Sequence, residues 1–219
     1  MHFDEFMQAV HALEALGTNI LPVFQTDGAL RAEEIRQLLA VGAAVKTAQV
    51  KTVWDCLAAG LNDVYFDCGQ ADDETLTALF GKCRFVAHKK ADIKQLDRIT
   101  TPLLRSGHLE TIAIQLQNTN DPLAFTPENI PAFSGWIRFS DNLAVRGIFV
   151  DMKADFAEHA KESYSLIKKI RCDMPCLFSY FCFNGLLAPL AKGDEPLRQA
   201  LKMLDSLNDT SLYACFYIN

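Results

Sequence analysis

The sequence lacks four things, and each absence excludes a class of protein. No run of lysine and arginine is long enough to build a basic patch; 21 basic residues face 27 acidic ones for a formal charge of −6, so a general nucleic-acid binder is excluded. No apolar stretch approaches the roughly 18 residues of a membrane span. No G-x-G-x-x-G follows the first strand, and Gly81-Lys82 lacks the earlier glycine of a P-loop, so a dinucleotide or P-loop fold loses its best support. No linker or low-complexity segment divides the 219 residues, so a single domain over 1–219 is expected. The opening Met1-His2-Phe3-Asp4-Glu5 also has neither the basic nor the apolar part of a signal peptide.

What is present is a core-rich globular composition: 50% apolar, 22% charged, mean hydropathy +0.06. Seven cysteines, an odd number mostly inside apolar runs, read as buried free thiols in a reducing compartment, so a cytoplasmic location is expected. Cys172 and Cys176 are not at a zinc-ribbon spacing, and no second pair or nearby histidine completes a ligand set, so no metal is expected.

Short apolar runs alternate with amphipathic stretches. The pattern predicts an opening helix over Phe3 to Leu16 and strands over Ile20–Gln25, Ala43–Ala48, Asp63–Asp67, Cys83–His88, Thr111–Gln117, Leu143–Val150, Pro175–Phe183 and Ser211–Ile218. Between them it predicts helices over Ala32–Val41, Val50–Ala59, Asp72–Phe80, Ala91–Ile99, Phe156–Ile170 and Glu195–Leu207, with another opened by Thr126-Pro127-Glu128. Eight strands joined by helices, at about 27 residues per unit, favour a closed (β/α)8 TIM-type barrel of parallel strands over a doubly wound sheet. The opening helix takes the place of the missing last helix.

In such a barrel the site lies at the C-terminal ends of the strands. Those ends offer Gln25 and Asp27, Ala48 and Gln49, Asp67 and Cys68, His88 with Lys89 and Lys90, Gln117 with Asn118 and Asn120, Asp151 and Lys153, Asn184 and Gly185, and Asn219. Asp67 and Asp151 are candidates for acid–base work, or they simply start turns. His88-Lys89-Lys90 offers lysines for Schiff-base chemistry, or a polar helix start. Cys68 has no histidine near it in sequence. Lys46 lies within the second strand, facing either the barrel or the helices.

The order of elements resembles the pyridoxal phosphate (PLP)-binding barrel of alanine racemases, also found in basic amino-acid decarboxylases and single-domain PLP homeostasis proteins. Three stretches carry the likeness. The first is Ile20-Leu21-Pro22-Val23-Phe24-Gln25 with Leu38-Leu39-Ala40-Val41-Gly42-Ala43. The second is Val45-Lys46-Thr47-Ala48 through Ala58-Ala59-Gly60-Leu61 to Asp63-Val64-Tyr65-Phe66-Asp67. The third runs from Ile114-Gln115-Leu116 through Leu123-Ala124-Phe125 to Asn142-Leu143-Ala144-Val145-Arg146-Gly147-Ile148.

The resemblance implies a Schiff-base lysine at the end of the first strand, where this chain has Gln25, and a carboxamide forms no imine. An arginine of the racemases falls on Pro122, and a histidine of the family falls on Asp151. The racemases' second domain, which carries their second base, has no counterpart here. Gln25, Asn118, Asn184 and Gly185 are the cofactor-side candidates, and a carboxylate at Asn219 would oppose a phosphate. A shifted register instead makes Lys46 the cofactor lysine.

The expected function is therefore a degenerate PLP-type barrel without racemase or decarboxylase activity and needing no cofactor. It binds a small molecule, or it regulates an active relative by pairing with it. The alternatives are an active PLP enzyme or homeostasis protein using Lys46 or another lysine, cofactor-free chemistry by Asp67, His88 and Asp151, or a partner-binding barrel that forms homodimers.

Overall fold

A strand buried on both faces must be apolar on both, and runs such as Val64-Tyr65-Phe66 and Phe181-Cys182-Phe183 meet that requirement. The structure, a computed structural model, describes residues 2–103, 110–117, 119, 121–126, 129, 142–151, 180–207 and 215–218. Their order is α1 (Phe3–Glu14), β1 (Leu21–Thr26), α2 (Ala32–Ala40), β2 (Ala44–Thr47), α3 (Val50–Ala58), β3 (Val64–Asp67), α4 (Asp73–Leu79), β4 (Arg84–Ala87) and α5 (Lys90–Thr100), then β5 (Glu110–Leu116), β6 (Leu143–Asp151), β7 (Tyr180–Asn184), α6 (Leu187–Ala191), α7 (Glu195–Leu207) and β8 (Cys215–Ile218).

The eight strands pair in sequence order, all parallel, and β1 closes on β8 through Leu21–Tyr217 and Pro22–Ile218. This is the expected (β/α)8 barrel. The helix α6 was not expected from the pattern. The helix anticipated over 156–170 lies outside the described residues, as do Pro127 and Glu128.

The helices end where their sequences say. Asp72 caps α4 by accepting from the Thr75 backbone N–H at 2.8 Å. Gly42 and Gly60 take φ of 65° and 88° just after α2 and α3, a left-handed turn that a side chain would strain.

The opening helix α1 buries Phe6, Ala9, Val10 and Leu13, spaced along one face. Phe3 and Phe6 set their rings edge-on to Phe24 of β1 at 5.4 and 4.9 Å. α1 also packs on α6, and the Asn19 N–H that follows it donates to Asp205 of α7 at 2.8 Å. It thus occupies the place of a helix after β8, as expected.

Two layers of core result. The outer layer lies between strands and helices. The inner one fills the barrel with Val23, Ala44, Tyr65, Val86, Ala113, Phe149, Tyr180, Cys182 and Tyr217. Tyr65 meets Phe149, Tyr180 and Tyr217 edge-on at 5.2, 5.6 and 6.4 Å. Below them Arg84 donates to Asp63 and to the Tyr65 hydroxyl, and Tyr217 donates to Asp63 at 3.2 Å, which closes the N-terminal end of the barrel.

Gly147 makes this packing possible, because a Cβ there would lie 2.0 Å from the Tyr180 ring. That ring is 6% exposed and held by three other aromatics, so it has nowhere to swing. Gly147→Ala is expected to cost about 1–3 kcal/mol of stability in chemical denaturation. Combined with Tyr180→Leu it should cost less than the two single substitutions added together; strict additivity would disprove the clash.

Candidate functional site

Side chains of a strand alternate between faces, so each inner-layer residue fixes which later residues also point inward. Val23, Ala44, Tyr65 and Val86 are inside. Two residues on, at the C-terminal end, come Gln25, Lys46, Asp67 and His88. They recur every 21 residues, the separation of the Asp67–His88 pair. They are therefore the same position in four successive βα units. From the far side, Ala113 is followed inward by Gln115 and Gln117, Phe149 by Asp151, and Cys182 by Asn184. The barrel is apolar through its middle and polar at its C-terminal mouth.

Two hydrogen-bonded groups occupy that mouth. In the first, Lys46 is 3% exposed and its Nζ donates to Gln115 Oε1 at 2.8 Å. Gln115 Nε2 donates to Asp151 Oδ1 at 2.8 Å, and Asn184 Nδ2 donates to the same oxygen at 2.6 Å. The Lys46 amine also sits 4.8 Å from the centre of the Phe149 ring. Burial pushes this amine below the ordinary lysine value of 10.5, against the opposing pull of Asp67, Cys182, Asp151 and Asp27. Burial also drives the Cys182 thiol well up, so near neutral pH it adds no charge and the carboxylates alone oppose the shift.

In the second group His88 Nε2 meets Asp67 Oδ2 at 2.7 Å, and Gln117 Nε2 lies 3.2 Å from His88 Nδ1. The neutral tautomer that satisfies both contacts carries its proton on Nε2 and accepts from Gln117. The Gly69 N–H donates to the other Asp67 oxygen at 3.1 Å. Burial alone would raise the Asp67 carboxyl. The His88 contact, the Gly69 N–H and the charge of Lys46 outweigh it and hold the group below 3.8. Beside this pair opens a cavity of about 770 Å³, lined among others by Gln49, Asp67, Asp72, Thr75, His88, Lys89 and Gln117.

The structure thus brings together Lys46, Asp67, His88, Asp151 and Asn184. Gln25 stands on the same inward face but at the exposed outer end, in register with Lys46. Gly185 follows β7 with φ 86°. Lys89 and Lys90 are half-buried at the start of α5, and Pro122 lies in an exposed turn. Asn118, Asn120, Lys153 and Asn219 lie outside the described residues, as do Cys172 and Cys176. Cys68 is buried, its Sγ donates to the Val86 carbonyl at 2.9 Å, and burial raises its pKa well above 9.0, so it is no ready nucleophile. Among the described residues no group of three or more His, Cys, Asp or Glu could hold a metal, and no helix is long and apolar enough to cross a membrane. Gln115 was not singled out from the sequence. Its signal was there: one amide in the otherwise apolar run Ile112-Ala113-Ile114-Gln115-Leu116.

No protein-family model matches the sequence, and no curated protein matches it. Solved structures do. Diaminopimelate decarboxylase of Helicobacter pylori, solved with L-lysine, superposes with a TM-score of 0.70 at 13% identity over 100% of this chain and 61% of that one. Ornithine decarboxylase of Entamoeba histolytica gives 0.74 at 12% over 99% and 63%. PipY of Synechococcus elongatus, solved with PLP bound, gives 0.61 at 14% over 96% of both chains. The chain has the (β/α)8-barrel fold of these proteins. It spans under two thirds of the length of these decarboxylases and nearly the whole of PipY.

Asp67 generates a test at acid pH. Its folded-state pKa lies below the unfolded value near 3.8, so its contribution to stability is present above that value and fades as pH falls through the folded one. The stability gap between the native chain and Asp67→Asn should therefore shrink between about pH 4 and pH 2 in denaturant titrations. A gap that stays constant there would refute the pairing.

Proposed function

We propose that this barrel holds PLP, or a small carbonyl compound like it, on Lys46, in a ligand-binding or regulatory role rather than racemase or decarboxylase turnover. The observation that carries the reading is the Lys46 amine. It is inward-facing at a strand's C-terminal end, buried, and held below the ordinary lysine value by that burial. An unprotonated amine is what attack on an aldehyde requires. The residues present fit the group on this side of the site. PLP supplies an aldehyde that condenses with such an amine and a ring that withdraws electrons. Lys46 would bond its carbonyl carbon. Asn184 ends β7 and Gly185 follows it, where barrels commonly hold phosphate.

The second half of the reading, binding rather than turnover, draws on the His88–Asp67 pair. Both His88 nitrogens are engaged within the protein, one by Asp67 and one by Gln117, which favours a structural role for the ring. By the same resemblance, Asp151 replaces a family histidine and Pro122 an arginine. In its regulatory form the barrel pairs with a second copy or with an active relative. The competing reading is an active enzyme built on the same lysine, and the same amine favours it.

Incubation with PLP, followed by borohydride reduction and peptide mass mapping, is expected to give a visible absorption band and one reduced adduct on Lys46. Lys46→Ala should abolish both. No adduct, or one confined to Lys89 or Lys90, would overturn the reading. Turnover of an amino acid by the loaded protein would replace it with the active-enzyme reading.

A further inference from the structure

We infer that Gln115, backed by Asn184, is a neutral partition that keeps the Asp151 carboxylate from pairing with Lys46, and is thereby the positioning residue that preserves Lys46 as a nucleophile. This deepens the proposal above and rests on Lys46 being the reactive amine.

A carboxamide offers an acceptor and two donors with no net charge. Gln115 uses all three, and two of them stand between Lys46 and Asp151. Its Oε1 accepts from Lys46 Nζ at 2.8 Å, and its Nε2 donates to Asp151 Oδ1 at 2.8 Å and to the Leu116 carbonyl at 3.1 Å. The reverse amide orientation would aim N–H donors at the amine and an oxygen at a carboxylate and a carbonyl, so the neighbours fix which way the group points. Asn184 Nδ2 donates to Asp151 Oδ1 at 2.6 Å and to Gln115 Oε1 at 3.3 Å. Asp151 Oδ1 thus accepts from two amides, and the exposed carboxylate has water for its remaining lone pairs, so it has no need of the amine.

The remaining groups facing the amine fit the same arrangement. Asp67 on β3, whose charge opposes the shift most, is itself held by His88 and the Gly69 N–H, Cys182 on β7 is a neutral thiol, and Asp27 beyond β1 acts least. Without the partition, the buried amine would pair as an ammonium with the exposed Asp151 carboxylate, and its nitrogen would have no lone pair to offer.

The test reads Lys46 directly, on the whole chain without PLP, by following its ¹³Cε resonance with pH and assigning it with Lys46→Arg. Gln115→Glu places a carboxylate where the amide oxygen stands. It is expected to raise the Lys46 midpoint by about one unit or more, and to slow attack on a free aldehyde at pH 8 about tenfold. Asp151→Asn removes the charge behind the partition and is expected to move the midpoint by less than about half a unit, because the amides already hold that charge off. This second variant keeps the test open if Gln115→Glu does not fold.

An unmoved midpoint in Gln115→Glu would overturn the inference. So would a fall of about one unit or more in Asp151→Asn, which is readable whether or not Gln115→Glu folds. Because PLP takes no part, failure of PLP to bind Lys46 leaves these outcomes readable. A Lys46 adduct with an unmoved Gln115→Glu midpoint would overturn the partition alone.

Discussion

The pairing of β1 with β8 is the contact on which the site depends, because closure turns eight strand ends into one ring. In an open sheet Lys46 on β2 and Gln115 on β5 would be separated by the width of two intervening strands. In the closed barrel they meet at 2.8 Å across the interior. Two-residue alternation then sorts the chemistry. The inward positions of the middle layer are apolar and aromatic, and those one step further along are Gln25, Lys46, Asp67, His88, Gln115, Asp151 and Asn184.

Burying an amine in such a mouth carries a desolvation cost that either an ion pair or loss of the proton can relieve. The local design uses neutral amides and an aromatic face around Lys46, while the carboxylates nearby are engaged elsewhere: Asp67 with His88, Asp151 with Gln115 and Asn184. The opposite end of the barrel shows the contrast. There Arg84 pairs directly with Asp63 beneath the tyrosines, and the result is a plug. Ionic pairing seals one end, and its avoidance leaves the other chemically open.

Superposition on decarboxylases and on PipY at 12–14% identity speaks for the fold and leaves the site to be argued from its own residues. Those residues divide into a lysine niche inside the barrel mouth and a histidine–aspartate pair beside the cavity of about 770 Å³. The shared fold therefore carries two adjoining environments in this chain: one desolvated and amine-bearing, the other wider and lined by polar groups.

The strand–helix rhythm was legible because it is local: apolar runs of four to nine residues between capped helices need no tertiary information. Eight strands, parallel order and the role of the opening helix all followed from it. The rim residues were legible too, since strand ends can be counted. The sequence alone did not say which way Lys46 faced, because a strand apolar on both faces has no alternation to reveal its inner side. Nor could it join Asp67 to His88, or Lys46 to Gln115, 69 residues apart. The even 21-residue recurrence of Gln25, Lys46, Asp67 and His88 lies in the sequence, yet it acquires meaning only when closure makes those positions neighbours on one ring. Local propensity determined the elements. Barrel closure, which is long-range, decided which side chains share a low-dielectric space and so which of them carry perturbed chemistry.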